Sequence, residues 1–181
     1  MEKVVVEFGY KVEDGKTKFC AVLVRNGRTE EEEFTERSEE QSQYIAGMNA
    51  FCLAAKVVKE FSEDTGFLIG EVEYRSVQQY LDLWVKKGKN KKYTEQINFI
   101  NSCHTELGLE DFAYVQQKGG REGKKNNLAL VELYNNKKGV DPFEYLVEEK
   151  EEVNNNVGKF NPFGNFKQEK TQTGKVLPFK K

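Results

Sequence analysis

Trp84 and the run Lys86-Lys87-Gly88-Lys89-Asn90-Lys91-Lys92 place five lysines within seven residues of one another, beside an indole ring. Ammonium groups on flexible stems are suited to phosphate contact. Lys118, Arg121, Lys124 and Lys125 make a second basic cluster further along. An ordinary solvated lysine loop is the alternative reading of the first run. Other chemistry finds few residues to work with. His104 is the only histidine and adjoins Cys103. Neighbours on a helix diverge by about 100°, and no second Cys/His pair stands near, so no zinc site is expected. His104 shares helical spacing with Ile97, Ile100 and Leu107, which predicts a place in the core or at its boundary rather than a general-base role. Gly119-Gly120 and Gly123 lack the Gly-Lys-Ser/Thr ending of a phosphate loop. No cofactor and no metal is expected.

The chain as a whole is not basic. Its 181 residues carry a net charge of −2, so any contact with nucleic acid must be local. Residues 151–181 hold six lysines against three glutamates, a net of +3 that leaves −5 for the rest. An acidic body with a basic tail suggests a tail with its own task, unless it only aids solubility. Phe160, Phe163 and Phe166 are spaced by threes in that tail, and Leu177 and Phe179 stand near its end. Exposed phenylalanines are costly unless they dock, either on the chain's own body or on a protein partner. Val176-Leu177-Pro178-Phe179 faintly resembles peptides that bind bacterial sliding clamps, although Gly174 stands where those peptides begin with glutamine. Hydrophobic content of 38% and aromatic content of 12% suffice for one packed domain plus an extension. Cys20, Cys52 and Cys103 sit far apart, the first two in apolar runs, and read as buried free thiols. No apolar stretch approaches the ~20 residues that span a bilayer, and no signal-peptide pattern follows Met1. A cytoplasmic setting without membrane contact is expected.

The elements that must position these groups are legible in outline. Val4 to Tyr10 is β-branched and aromatic. Asp14-Gly15 and Asn26-Gly27 are hairpin turns that bound a second strand, Phe19 to Val24, and a third, Thr29 to Thr35. Glu30-Glu31-Glu32-Glu33 in the third strand predicts an exposed sheet edge; the alternative is that the acidic run from Glu30 to Glu40 imitates DNA phosphates towards a basic partner. Ser38-Glu39-Glu40-Gln41 reads as a capping box. The helix beyond it carries Tyr44, Met48, Phe51, Ala55 and Val58 on one face. Gly66 to Tyr74 is a fourth strand, parallel because a helix precedes it. Ser76 can cap a short helix with Tyr80, Leu81 and Trp84 inward. After the lysine run a helix ends near Gly108, Phe112 to Val115 is a fifth strand, and residues 118–123 read as a flexible loop. Asn126 to Tyr134 is a last helix, with Leu130 inward. Three parts are expected: residues 1–140 as the domain, a short helix at 141–152, and an extended tail at 153–181 that is disordered unless held.

The order βββαβααβα resembles the ribonuclease H fold, an α/β architecture with a mixed five-stranded sheet. Glu73-Tyr74-Arg75-Ser76 resembles the family's strand ending in Thr-Asp-Ser. Trp84 with its lysine loop resembles the basic protrusion by which some members grip an RNA–DNA hybrid. Tyr114-Val115-Gln116, Gly119-Gly120, Gly123 and Asn126-Asn127-Leu128-Ala129 resemble a segment running Trp-Val-Lys-Gly-His to Asp-Glu-Leu-Ala. The resemblance implies four acids around two magnesium ions. Here Glu7 stands for the first acid, Ala46 or Gly47 for the second, Arg75 for the third and Asn126 for the fourth. One carboxylate cannot hold two hard divalent ions. The expectation is a non-catalytic module that binds nucleic acid (hybrid, duplex or single strand) or a protein. The alternatives are an active endonuclease with a shifted metal site, or an inhibitor of a nucleic-acid-processing partner acting through its tail or acidic edge.

Overall fold

Two tight turns fold the start of the chain into a meander. β1 (Glu2–Glu13), β2 (Lys16–Arg25) and β3 (Arg28–Arg37) are antiparallel neighbours. At both turns the two central residues have positive φ: Asp14 and Gly15, then Asn26 and Gly27. That is the backbone a two-residue hairpin requires. The computed structural model describes residues 1–88, 90–135 and 168–172. After the meander come α1 (Gln43–Thr65), β4 (Ile69–Ser76), α2 (Leu81–Lys87), a 3-10 turn (Lys91–Tyr93), α3 (Thr94–Glu106), β5 (Ala113–Gln116), α4 (Gly120–Asn126) and α5 (Leu128–Asn135). A further strand, β6 (Gln168–Gln172), closes the list of described elements. The sheet order is β5-β4-β1-β2-β3-β6. β4 and β5 run parallel to β1, as the helical crossovers predict.

Strand parity sorts the core into two layers. Val4, Val6, Phe8, Phe19, Ala21 and Leu23 face α1. Cys20, Val22 and Phe34 face α5 through Ala129, Leu130 and Leu133. α1 carries far more than one apolar stripe: from Ala46 to Ala55 every residue is buried, because the sheet lies on one side and α3 on the other. Phe51 stacks on Phe8 at 5.1 Å between centroids. Tyr44, expected on the inward face, is instead 40% exposed. On the opposite face Gly9 permits α5 to lie close, since a Cβ there would stand 2.6 Å from Leu130 Cδ2. The three cysteines are free and buried.

Several expectations are corrected. The helix cap is Ser42, not Ser38. The Thr17 hydroxyl donates to the Glu39 carbonyl and accepts from the Gln41 amide, both at 2.8 Å, which ties that segment to β2 and delays the helix. Ser76 ends β4 and accepts from the Gln78 amide, while Tyr80 starts α2 and is half exposed. Gly120 to Gly123, expected in a flexible loop at 118–123, are helical as part of α4. Gly123 allows this by letting α4 press on Val77, 2.7 Å from a would-be Cβ. β3 is not an exposed edge: β6 pairs with it, and Glu31 and Glu33 are each 1% exposed. The same pairing makes residues 168–172 a strand rather than a disordered tail. The expected helix at 141–152 and Phe160, Phe163, Phe166, Leu177 and Phe179 lie outside the described residues.

Candidate functional site

Glu7 and Arg75 are partners in the parallel register of β1 and β4, so both side chains leave the α5 face at one level. Glu7 is 5% exposed. Its Oε2 accepts the Leu128 amide at 2.5 Å, at the start of α5. Its Oε1 lies 3.6 Å from Arg75 Nη1. Arg75 Nε donates to Glu73 Oε1 at 2.6 Å, and Lys3 Nζ holds Glu73 Oε2 at 2.7 Å. Lys3 first, then Arg75, keep the Glu73 carboxyl below the usual carboxylate range. A continuous chain of opposite charges thus runs from Lys3 through Glu73 and Arg75 to Glu7, which meets the start of α5.

Asn127 completes the cluster. It is fully buried. Its Oδ1 accepts the Leu130 amide at 2.9 Å, which caps α5. Its amide nitrogen donates to Gln117 Oε1 at 2.7 Å and reaches the carbonyls of Phe8 and Arg75, both at 3.4 Å. Asn126, the residue the spacing singled out, is exposed. The sequence did carry a signal for its neighbour: an Asn three residues before Leu130 is a standard N-cap position. Ala46 is buried in the core, and a Cβ on Gly47 would touch Gln78 and Leu81 at 3.4 Å.

The donor set does not fit the two magnesium ions that the resemblance implies. Magnesium needs hard anionic oxygens in a near-octahedral shell. Of the four positions, one carries a carboxylate, and both of its oxygens already have a partner. A second carries a guanidinium, which repels a divalent ion. Among the described residues no three His, Cys, Asp or Glu side chains stand together as a metal site. Nor is Arg75 a ready phosphate anchor, since Glu73 and Glu7 already neutralise it.

The basic residues lie elsewhere. Trp84 stacks on Tyr93 at 5.1 Å and meets Tyr44 edge-on at 5.4 Å, two ring partners that spacing alone did not reveal. Lys87, Lys91 and Lys92 are exposed around these rings, and Lys92 Nζ lies 5.5 Å from the Tyr93 centroid. Lys86 is tied down: it pairs with Asp111 at 2.9 Å and sits over the Phe112 ring. Lys89 is outside the described residues. On the other side, Lys118 pairs with Glu122 at 3.6 Å, Lys124 lies over the Tyr134 ring at 4.4 Å, and Arg121 and Lys125 are exposed. Lys86 touches the start of β5 and the α4 cations stand beyond its end.

His104 is buried in the core and shares a 2.8 Å hydrogen bond with the Tyr74 hydroxyl. Burial pushes its imidazole down to about 4 and the Cys103 thiol up to about 11. Neither group is activated for chemistry at neutral pH. A 300 Å³ cavity lined by His104, Lys86, Asp111 and Phe112 opens beside them.

No family model matches the sequence, and no curated protein matches it. Solved structures do match. The N-terminal RNase H domain of rv2228c from Mycobacterium tuberculosis, solved as a fusion with maltose binding protein, is 10% identical. It superposes with a TM-score of 0.54 over 75% of this chain and 98% of that one. LC11-RNase H1, solved in complex with an RNA/DNA hybrid, is 16% identical with a TM-score of 0.52 over 73% and 98%. The fold is that of ribonuclease H: an α/β domain built on a mixed sheet. No helix among the described residues is long and apolar enough to cross a membrane.

Proposed function

We propose that this protein is a non-catalytic ribonuclease H-like module that binds nucleic acid through the aromatic and basic edge formed by α2 and the 3-10 turn. One observation carries the non-catalytic part: Arg75 stands between Glu7 and Glu73 where phosphodiester hydrolysis would need metal-binding carboxylates. The binding part rests on the half-buried Trp84, which stacks on the buried Tyr93, and on the exposed Tyr44, with Lys87, Lys91 and Lys92 exposed in the same segment as Trp84. Rings at the base of a cationic surface suit a strand whose bases and phosphates are both within reach. An RNA/DNA hybrid is the first ligand to try, because LC11-RNase H1 is solved with one. The aromatic, basic tail is proposed as a contact for a protein partner.

Hybrid, duplex and single-stranded oligonucleotides should be titrated at low and moderate salt. Binding is expected to fall about tenfold or more in the combined Lys87→Ala, Lys91→Ala, Lys92→Ala variant. Unchanged affinity would remove this edge from the reading. Metal-dependent hybrid cleavage that persists through purification would remove the non-catalytic assignment.

A further inference from the structure

The cavity beside His104 plays no part in the strand-binding edge, yet a buried polar group opens into it. Val85 and Lys86 of α2, Asn101 and Thr105 of α3, and residues 109–112 enclose it around the His104 ring. The histidine is 6% exposed. Its Nε2 shares the 2.8 Å hydrogen bond with the Tyr74 hydroxyl. Tyr74 is fully buried, and among the described residues that hydroxyl has no other partner. Its hydrogen must therefore point at Nε2, which assigns the tautomer from the hydrogen-bond network. Burial holds the ring neutral at pH 7, so the one ring hydrogen sits on Nδ1. Nδ1 has no partner among the described residues and is not sealed from solvent, so this donor opens into the cavity that the ring lines.

The other walls narrow the choice of ligand. Asp111 is exposed and pairs with Lys86 at 2.9 Å, and its carboxylate has acceptor sites beyond the one that Lys86 uses. The buried Phe112 ring lies 5.1 Å from the His104 ring, and Val85 and Leu109 add apolar wall. A free anion meets two carboxylates, Glu110 and Asp111, against one ammonium. A free cation meets Lys86 already in place and a donor at Nδ1. A flat, uncharged ring with an acceptor for Nδ1–H and donors for Asp111 satisfies both groups. Guanine carries a carbonyl oxygen beside a ring N–H and an exocyclic amine on one edge. A volume of 300 Å³ is at the lower end for small-molecule sites and suits a single base. The cavity also adjoins the strand-binding edge: Trp84, the lining residues Val85 and Lys86, and the exposed Lys87 are consecutive on α2.

We propose that this cavity takes one unpaired guanine of a strand bound along α2, with His104 Nδ1 donating to the guanine carbonyl and Asp111 accepting from its N–H groups. The proposal rests on the nucleic-acid reading of the edge for the strand, but not for recognition of the base. An unpaired base enters at little cost, whereas a paired one must first leave its stack. The cavity therefore selects guanine in single strands.

The test uses the full-length chain with isotope-labelled imidazole nitrogens. His104 is the only histidine, so the ring signals report this site alone. The free protein at pH 7 is expected to carry its ring hydrogen on Nδ1, and the opposite tautomer would overturn the proposal. Guanosine is expected to shift the Nδ1 signal saturably, and adenosine, which reverses the donor and acceptor on that edge, to leave it in place. No shift with guanosine, or equal shifts with both, would also overturn it. The strand arm compares an oligoadenylate with the same strand holding one central guanine. The guanine is expected to tighten binding about tenfold, and Asp111→Asn, at an exposed position, to abolish that gain. Equal affinity for the two strands, or a gain that survives Asp111→Asn, counts against the cavity. Lysine-dependent binding blind to guanine would sink the cavity and leave the edge standing. Guanosine shifts without any strand binding would sink the edge, and with it the strand-bound guanine proposed here, and would assign the cavity to a free nucleoside.

Discussion

Asn127 shows why a carboxylate is absent from the start of α5. Its side chain must accept from the Leu130 amide and also donate towards three oxygens, those of Gln117, Phe8 and Arg75. A carboxylate satisfies the cap and fails everywhere else, because it has no hydrogen to give. Asn127→Asp, at a position with no solvent access, is therefore expected to lose about 2–4 kcal/mol in urea unfolding at pH 7, although Asp is as good a cap as Asn. The facing oxygens and the burial raise the pKa of that carboxyl in the folded state. The loss should then shrink as the pH falls and the acid takes up a proton, which restores a donor. A pH-independent loss would contradict the donor argument. The same logic applies across the sheet at Arg75, the cation shared by Glu7 and Glu73. Arg75→Asp replaces that cation with a third carboxylate beside the two glutamates. The variant should gain saturable Mn²⁺ binding by calorimetry, with a metal-dependent rise in Tm that the wild type lacks. A variant indifferent to Mn²⁺ would show that the guanidinium is not what separates this cluster from a metal site.

At the scale of elements, α3 is fastened to the sheet by a buried imidazole. His104 bonds the Tyr74 hydroxyl on β4 and packs 5.1 Å from the Phe112 ring. Burial lowers its pKa from 6.5 to about 4. The folded state thus holds the neutral form, while the unfolded chain takes up a proton near its ordinary pKa. Stability from this group is complete above about pH 6.5 and is lost as the pH falls towards 4, with a limit on the order of 3 kcal/mol. His104→Gln can keep a hydrogen bond to Tyr74 but does not titrate. Urea midpoints of wild type and variant at pH 7 and pH 5 should differ in their pH dependence, with the wild type losing more. The core role of this histidine was legible in the spacing of Ile97, Ile100 and His104, as were both hairpins and the parallel fourth strand. What was not legible depended on partners distant in sequence. Ser38 has a capping signature, but Thr17 on β2 decides where α1 begins. Residues 118–123 look like a loop until Val77 is set against Gly123. The glutamates of β3 look solvated until a strand some 130 positions later lies beside them. Within the site, Arg75 and Glu7 could be placed from strand parity. Asn127 was missed by one residue, because motif spacing fixes a helix start less sharply than its cap does.

The whole molecule sets the terms on which it can meet a polyanion. Net charge of −2 gives no long-range attraction, and the body without its tail is more acidic still. Binding must then come from a few local cations and vary steeply with salt. Lys86 and Lys118 face carboxylates, which leaves Lys87, Lys91 and Lys92, the last over the Tyr93 ring, as the exposed group in the segment of Trp84 and Tyr93. Three phosphate contacts predict a slope of about −2 to −3 for the logarithm of affinity against the logarithm of salt, shallower for a single strand than for a duplex. Replacing the three lysines with alanine should flatten that slope by the same amount while leaving the fold unchanged. Trp84→Leu isolates the remaining term. It should weaken single-strand binding by about 1–3 kcal/mol with little change in slope, because stacking releases no counterions. A steeper dependence that survives the lysine changes would place the contact on Arg121 and Lys125 beyond β5. Binding that ignores salt would mean that phosphates are not what this edge recognises.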